Sequence, residues 1–293
     1  MSHQPARRPR LSHYELGATS LFASQVDQRF SYCLYVPQDV DPDGSETYPL
    51  AVIVHGTLRS AQAYRDAFAD FAETHRCVIL APLFPCGIIE PGDLNNYKWI
   101  KFHDIRFDHL LLGMVDEIAG KYPVDGSKFL LFGFSGGGQF VHRFFYLHPE
   151  RLLGVSIGAP GKVTLLDTSR DWWLGVRDIE QQFGKPLNWD AMRQVAVQMV
   201  VGGADVEEWE INDPNSPMWV EGADVAGRNR VERLKTLKGS FEQAGIPVRF
   251  DVVPGVAHEG FRVLEPVKTF FGDVLTAAGL SRADGDGARG ERG

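Results

Sequence analysis

The chain has 293 residues, a length that suits one large α/β domain or two small ones, and its 44% apolar and 23% charged content is ordinary for a globular protein. A net charge of −8 argues against a nucleic-acid partner, and no apolar run reaches the length of a membrane span. The basic N-terminus lacks a secretory apolar stretch, and Cys33, Cys77 and Cys86 have no metal-like spacing. The expectation is therefore a cytoplasmic protein with reduced thiols, no metal and no cofactor.

In chain order, residues 1–13 and 281–293 read as disordered tails around a single domain over 14–279. Leu16–Ser24 and Phe30–Val36 read as two strands forming a hairpin at a sheet edge. After a turn-rich loop, Leu50–Val54 is a continuous apolar strand ending in His55-Gly56-Thr57, and Ser60 is placed to cap a helix through His75. Cys77–Leu83 is the next buried strand, and the irregular stretch after it holds Asn95-Asn96-Tyr97-Lys98-Trp99. Asp104–Tyr122 has helical periodicity, stopped by Pro123.

Lys128–Gln139 then reads K-F-L-L-F-G-F-S-G-G-G-Q: a short apolar strand, a glycine-flanked turn at 133–137, and a helical pattern to Leu147. This is the setting a nucleophile elbow needs, with Ser135 held on a sharp turn at the start of a helix. A hydroxyl is a weak nucleophile without a base, so partners elsewhere must decide.

Leu153–Ile157 and Val195–Val201 are further buried strands, the second ending in Gly202-Gly203-Ala204-Asp205. Arg228–Ala244 is an amphipathic helix and Val248–Val253 the last strand, followed by P-G-V-A-H-E-G at 254–260 and a helix over Phe261–Ala277. Strands alternating with helices imply a mostly parallel sheet of eight strands covered on both faces, with ligands bound at the strands' carboxyl ends. Thr57, Ser135, Asp205 and His258 all fall at that edge.

His258 is the candidate base, and Asp205 the candidate acid with Glu207 and Glu208 as rivals further past the strand. The order Ser, Asp, His is that of the hydrolase elbow proteins. His142, seven positions beyond Ser135, is read as a packing histidine.

Two segments break the β/α rhythm, 162–193 with Trp172, Trp173 and Trp189, and 206–224 with Trp209 and Trp219. The first is expected to form a small cap, with Asp167-Thr168-Ser169 starting a short helix near Arg170. These tryptophans either pack the insertions onto the body or wall a pocket. Trp172, Trp173, Trp209 and Tyr97 are the candidate substrate-binding residues.

On these motifs the chain, over about Leu16 to Ala277, resembles the α/β-hydrolases. H-G-T at 55–57 and G-F-S-G-G at 133–137 resemble the esterases grouped with polyhydroxyalkanoate depolymerases and feruloyl esterases. The resemblance implies an oxyanion hole from the backbone N–H groups of Thr57 and Gly136. The T-L-R-S run after Gly56 replaces the glycine-rich run of some lipases and speaks against bulky tertiary-alcohol esters. The implied function is a serine hydrolase acting on a small-molecule carboxylic ester. An amidase or peptidase with the same triad, and a non-catalytic binding protein on the fold, are the alternatives. No nucleic-acid or membrane partner is expected, and a homodimer is left open.

Overall fold

The computed structural model describes residues 11–42, 44–208, 211, 213–215 and 219–280. The expected tails lie outside these residues except for 11–13. No described helix is long and apolar enough to cross a membrane.

The expected first strand is split. β1 (Gly17–Ala18) and β2 (Phe22–Ala23) each pair antiparallel with β3 (Ser31–Val36). The cause sits between them: the Thr19 hydroxyl accepts from Leu34 N at 2.9 Å, so a side chain takes the place of a ladder carbonyl. β4 (Leu50–Val54) is buried along its whole length, as its apolar run requires.

The single helix expected over 60–75 is two, α1 (Ala61–Ala67) and α2 (Ala69–His75). Phe68, fully buried between Phe71, Phe132 and Phe271, leaves helical geometry at φ −104°, ψ 8°. Ser60 makes no side-chain cap bond. β5 (Val78–Leu83) follows. A small ribbon, β6 (Lys101–Phe102) and β7 (Ile105–Arg106), then delays the next helix, α3 (Phe107–Lys121), by three residues from its expected start at 104.

β8 (Phe129–Phe134), α4 (Gly136–Leu147) and β9 (Leu152–Gly158) form the central βαβ unit. The segment expected as a cap contains only short helices, α5 (Ile179–Phe183) and α6 (Trp189–Gln194). No helix begins near Arg170; Asp167 instead accepts from the Ser169 backbone and hydroxyl, which closes a turn. β10 (Ala196–Gly202), α7 (Arg230–Gln243, capped by Asn229), β11 (Val248–Val253) and α8 (Leu264–Ala277) complete the chain.

The sheet has nine strands in the order β1-β3-β5-β4-β8-β9-β10-β11, with β2 also on β3. The six from β5 to β11 are parallel, and the first three strands form an antiparallel edge. The helices sort into two groups. α2 meets α8 through Phe71–Phe271 and Lys268–Asp70, whereas α4 meets α3 through His148–Asp108 and α7 through Phe145–Phe241. From β4 the chain steps to β5 on one side and later to β8 on the other. Right-handed crossovers therefore place these helix groups on opposite faces, and a crevice opens at the carboxyl ends of β4 and β8. Thr57 and Ser135 follow those two strands.

One buried charge cluster was not legible in sequence. Asp108, in the first turn of α3, accepts a two-pronged bond from Arg106 (2.9 and 2.6 Å) and one from His148, the residue that ends α4 (2.8 Å). Burial raises its pKa, but the His148 and Arg106 bonds outweigh that and hold it at about 2, below the 3.8 of an ordinary aspartate. A depressed carboxylate pKa stabilises the fold above the unfolded value and loses that effect as pH falls towards the folded one. Asp108→Asn is therefore expected to lower unfolding free energy at pH 7 by about 2 kcal/mol. It should also flatten the loss of stability between about pH 4 and 2. Urea melts of both proteins across that range are the check, and equal acid limbs would refute it.

Candidate active site

Ser135 stands at the tight turn from β8 into α4 with φ 58° and ψ −112°, a conformation L-residues rarely adopt. The turn is held by Ser135 N donating to Gly158 O at 2.8 Å and Gln139 N to Ser135 O at 3.0 Å. The flanking glycines have no room for a side chain. A Cβ on Gly133 would lie 2.5 Å from the Gly137 carbonyl, and one on Gly137 would lie 2.4 Å from Val54 O. Strand and helix therefore approach at backbone contact, and the serine hydroxyl is turned outward.

The loop after β11 brings His258 to it. His258 Nε2 is 2.9 Å from Ser135 Oγ, and Nδ1 is 2.6 Å from Asp205 Oδ2. The carboxylate only accepts, so Nδ1 carries the proton and Nε2 is left to accept from the serine hydroxyl. Asp205 is completely buried, and its other oxygen lies 3.5 Å from Arg230 Nη1. The two loops are fastened together, with Gly203 N donating to Val253 O and Ala204 N to Val256 O. Of the three acids weighed from sequence, Asp205 is therefore the one at the imidazole. Glu207 and Glu208 are exposed, and Glu208 pairs with Arg228.

Thr57 lies across the crevice. Its N atom is 3.2 Å from where a Cβ on Gly136 would stand, so the two backbone N–H groups are neighbours. His55 explains the arrangement. It is fully buried, and Phe84 N donates to its Nε2 at 3.0 Å. Nδ1 then holds the proton and donates to Gly56 O at 2.9 Å. That bond turns the Gly56 carbonyl inward and leaves the N–H of the same peptide, that of Thr57, facing the opposite way. Burial keeps His55 neutral, with its pKa near 3. The H-G-T motif was visible in sequence, but this positioning role needs Phe84 and is not. His55→Leu is expected to lower kcat by about 100- to 1,000-fold with a small effect on KM, the scale of losing one oxyanion donor. A variant that folds and keeps its kcat would show that Thr57 N–H needs no such support.

No protein-family model matches the chain, and no curated protein matches it. Solved structures do. Poly(aspartic acid) hydrolase-1 from Sphingomonas sp. KT-1 is similar at a TM-score of 0.70 and 19% identity, over 86% of this chain and 97% of its own. A poly(3-hydroxybutyrate) depolymerase from Bordetella parapertussis gives 0.65 and 23%, over 87% and 86%. An S-formylglutathione hydrolase from Agrobacterium tumefaciens gives 0.56 and 16%, over 91% and 96%. This chain has the α/β-hydrolase fold.

Within the hydrolase fold, the remaining candidates fall in different places. Tyr97 is not an open wall of the crevice. It is fully buried, donates its hydroxyl to His55 O at 2.9 Å, and so braces the Thr57 loop from behind. His142 is buried on α4, donating from Nδ1 to Gly138 O and accepting Thr164 N at Nε2, which ties the start of the 162–193 insertion to the helix. Trp172 and Trp173 both lie against the Arg143 guanidinium, two turns beyond Ser135 on α4. Trp172 also meets Phe183 edge-on at 4.8 Å, and Trp173 meets Trp99 at 5.5 Å. Trp209 lies outside the described residues. Cys33 and Cys77 are buried and Cys86 exposed, and burial pushes the Cys33 thiol up to about 11.

Among the described residues, one group has metal-ligand character: Asp108, His109 and His148, whose ligand atoms lie within 4.8 Å of one another. Arg106 already grips Asp108 there, so a divalent cation would face a guanidinium.

Proposed function

We propose that the protein is a serine hydrolase that cleaves a carboxylic ester through an acyl-enzyme. The observation that carries this reading is the continuous bond chain Ser135–His258–Asp205 beside the N–H groups of Thr57 and Gly136. Ser135 Oγ attacks the ester carbonyl carbon while its proton passes to His258 Nε2. The buried Asp205 carboxylate holds the imidazole in the accepting tautomer and stabilises the imidazolium that forms. The carbonyl oxygen becomes an oxyanion, received by the two N–H groups, which need no reorganisation as charge develops. On collapse the alcohol departs with the proton from His258. Water then attacks the acyl-enzyme with His258 as base, releasing the acid and restoring Ser135.

The likeness to poly(aspartic acid) hydrolase-1 supports a second reading, the same triad acting on an amide. The two share every step, and only the leaving group differs: an amine in place of an alcohol, each taking its proton from His258 as it departs.

A fluorophosphonate probe combined with matched p-nitrophenyl esters and p-nitroanilides tests the proposal. Labelling at Ser135 with ester turnover is expected, and turnover of anilides at comparable kcat/KM would move the assignment to the amide reading. No labelling and no turnover would overturn it.

A further inference from the structure

The first turn of α4 carries a buried polar side chain that the protein itself does not satisfy. Gln139 is 8% exposed, and among the described residues no group hydrogen-bonds its carboxamide. The other two buried carboxamides among those residues are bonded at both ends. Gln198 accepts from Ser156 Oγ and donates to Asp251 Oδ2 and Pro266 O. Asn96 accepts from Tyr97 N and Arg59 Nη2 and donates to Pro85 O. His142 and Arg143, further along the same helix, also bond through their side chains.

Gln139 N donates to Ser135 O at 3.0 Å, so the side chain leaves the helix one turn after the nucleophile. Cα–Cβ bonds tilt towards a helix N-terminus, which leans the carboxamide back towards the turn of Ser135. Opposite it lies Gly161, just past the end of β9, the strand whose Gly158 O holds Ser135 N. A Cβ on Gly161 would stand 3.6 Å from Gln139 Nε2, 2.9 Å from Ile211 Cγ2 and 4.0 Å from Arg230 Nε. Trp99 Nε1 and Arg143 Nη2 are sealed from solvent, whereas the Gln139 amide still reaches it. The amide therefore faces open space beside the elbow, and it costs stability until something bonds it.

We propose that Gln139 is a specificity residue, whose carboxamide hydrogen-bonds a neutral polar group, a hydroxyl or an amide, on the acyl part of the substrate. The proposal rests on the serine-hydrolase reading above. The acyl part is the one that stays bonded to Ser135, and Gln139 rides on the helix that Ser135 opens. The alcohol departs instead towards His258, which supplies its proton. A carboxamide offers one acceptor and two donors, so a group that both gives and takes a hydrogen bond uses it best. The charges that border the space come as one of each sign, Arg230 facing Asp205 at 3.5 Å, which favours a neutral group over an anion. An alkyl chain in the same place leaves the amide unbonded and shut off from water.

The test compares phenyl esters of matched acyl length: phenyl 3-hydroxyhexanoate and phenyl N-acetyl-β-alaninate against phenyl hexanoate, with monophenyl adipate as the anionic member. Each kcat/KM is divided by that ester's rate constant with hydroxide, which removes intrinsic reactivity. Wild type is expected to favour at least one of the two neutral polar esters over the hexanoate by about ten-fold, the scale of one or two hydrogen bonds, with no gain for the adipate. Gln139→Leu should bring the polar esters within about two-fold of the hexanoate, a change of ranking that a purely structural role would not produce. Gln139→Met, which keeps the length of the side chain, serves if the leucine variant does not fold, and the wild-type ranking decides alone if neither does. A wild type that favours the hexanoate, or treats all four alike, overturns the inference and leaves the serine hydrolase intact. Preference for the adipate overturns the neutral class of ligand. A folded variant that slows every ester by one factor overturns the recognition role of Gln139. If Ser135 takes no fluorophosphonate and no ester is cleaved, the underlying reading fails, and the inference falls with it.

Discussion

Ser135→Ala should reduce kcat by about a million-fold while leaving the fold unchanged, since members of a triad act as a unit. The structural side of this expectation is specific. The bonds that define the turn, Ser135 N to Gly158 O and Gln139 N to Ser135 O, are made by the backbone and survive the substitution. Alanine meets the same strain at φ 58° as serine, so the melting temperature should hardly move. Glycine has no such penalty, and holding a non-glycine residue in so sparsely populated a region costs about 1–3 kcal/mol. Ser135→Gly should therefore be equally inactive and more stable than Ser135→Ala. Turnover measured on protein free of wild-type contamination decides the first point and calorimetry the second. More than about a tenth of wild-type activity in either variant would remove Ser135 from the nucleophile's role, being far above what triad loss allows.

The second large effect is at Asp205. Asp205→Asn should lower kcat by about 10,000-fold through the tautomer of His258 rather than through geometry. The reason lies in the asymmetry of the carboxylate's surroundings. One oxygen faces the Arg230 guanidinium and the other faces His258 Nδ1. Arg230 can only donate, so the amide of an asparagine turns its oxygen to Arg230 and its NH2 to His258. Nδ1 must then accept, the proton moves to Nε2, and the ring no longer takes the serine proton. Glu207→Gln and Glu208→Gln, at exposed positions, should each stay within about two-fold of wild type, since surface changes away from such features usually cost under about 0.5 kcal/mol. The pH profile of kcat for the three variants, with a melt to confirm folding, separates them. If a Glu207 or Glu208 variant does the damage and Asp205→Asn does not, the acid is misassigned.

The amino-acid sequence alone determined the parts whose causes are local. Continuous apolar runs such as Leu50–Val54 and Phe129–Phe134 are buried on both faces because nothing in them tolerates water, and they became the central parallel strands. Glycines at 133 and 137 mark a close strand–helix approach wherever they occur, because any Cβ would strike backbone. Those two facts placed Ser135 on its turn and aligned Thr57, Asp205 and His258 at one edge. Tertiary structure decided whatever depends on distant partners. Asp205 prevails over Glu207 and Glu208 because Gly203 and Ala204 are bonded to the loop of His258, a partner 53 residues from Asp205 along the chain. Phe68 interrupts a helix that its own neighbours favour, at the point where its ring is buried against Phe132 and Phe271. Tyr97 has the composition of a pocket wall, yet its hydroxyl finds an acceptor in the His55 carbonyl and the ring is drawn inside. Asp108 looks like any early-helix acid until Arg106 and His148 close on it. In each case a side chain could satisfy its chemistry in several ways, and only the packing of elements far apart in sequence selected one.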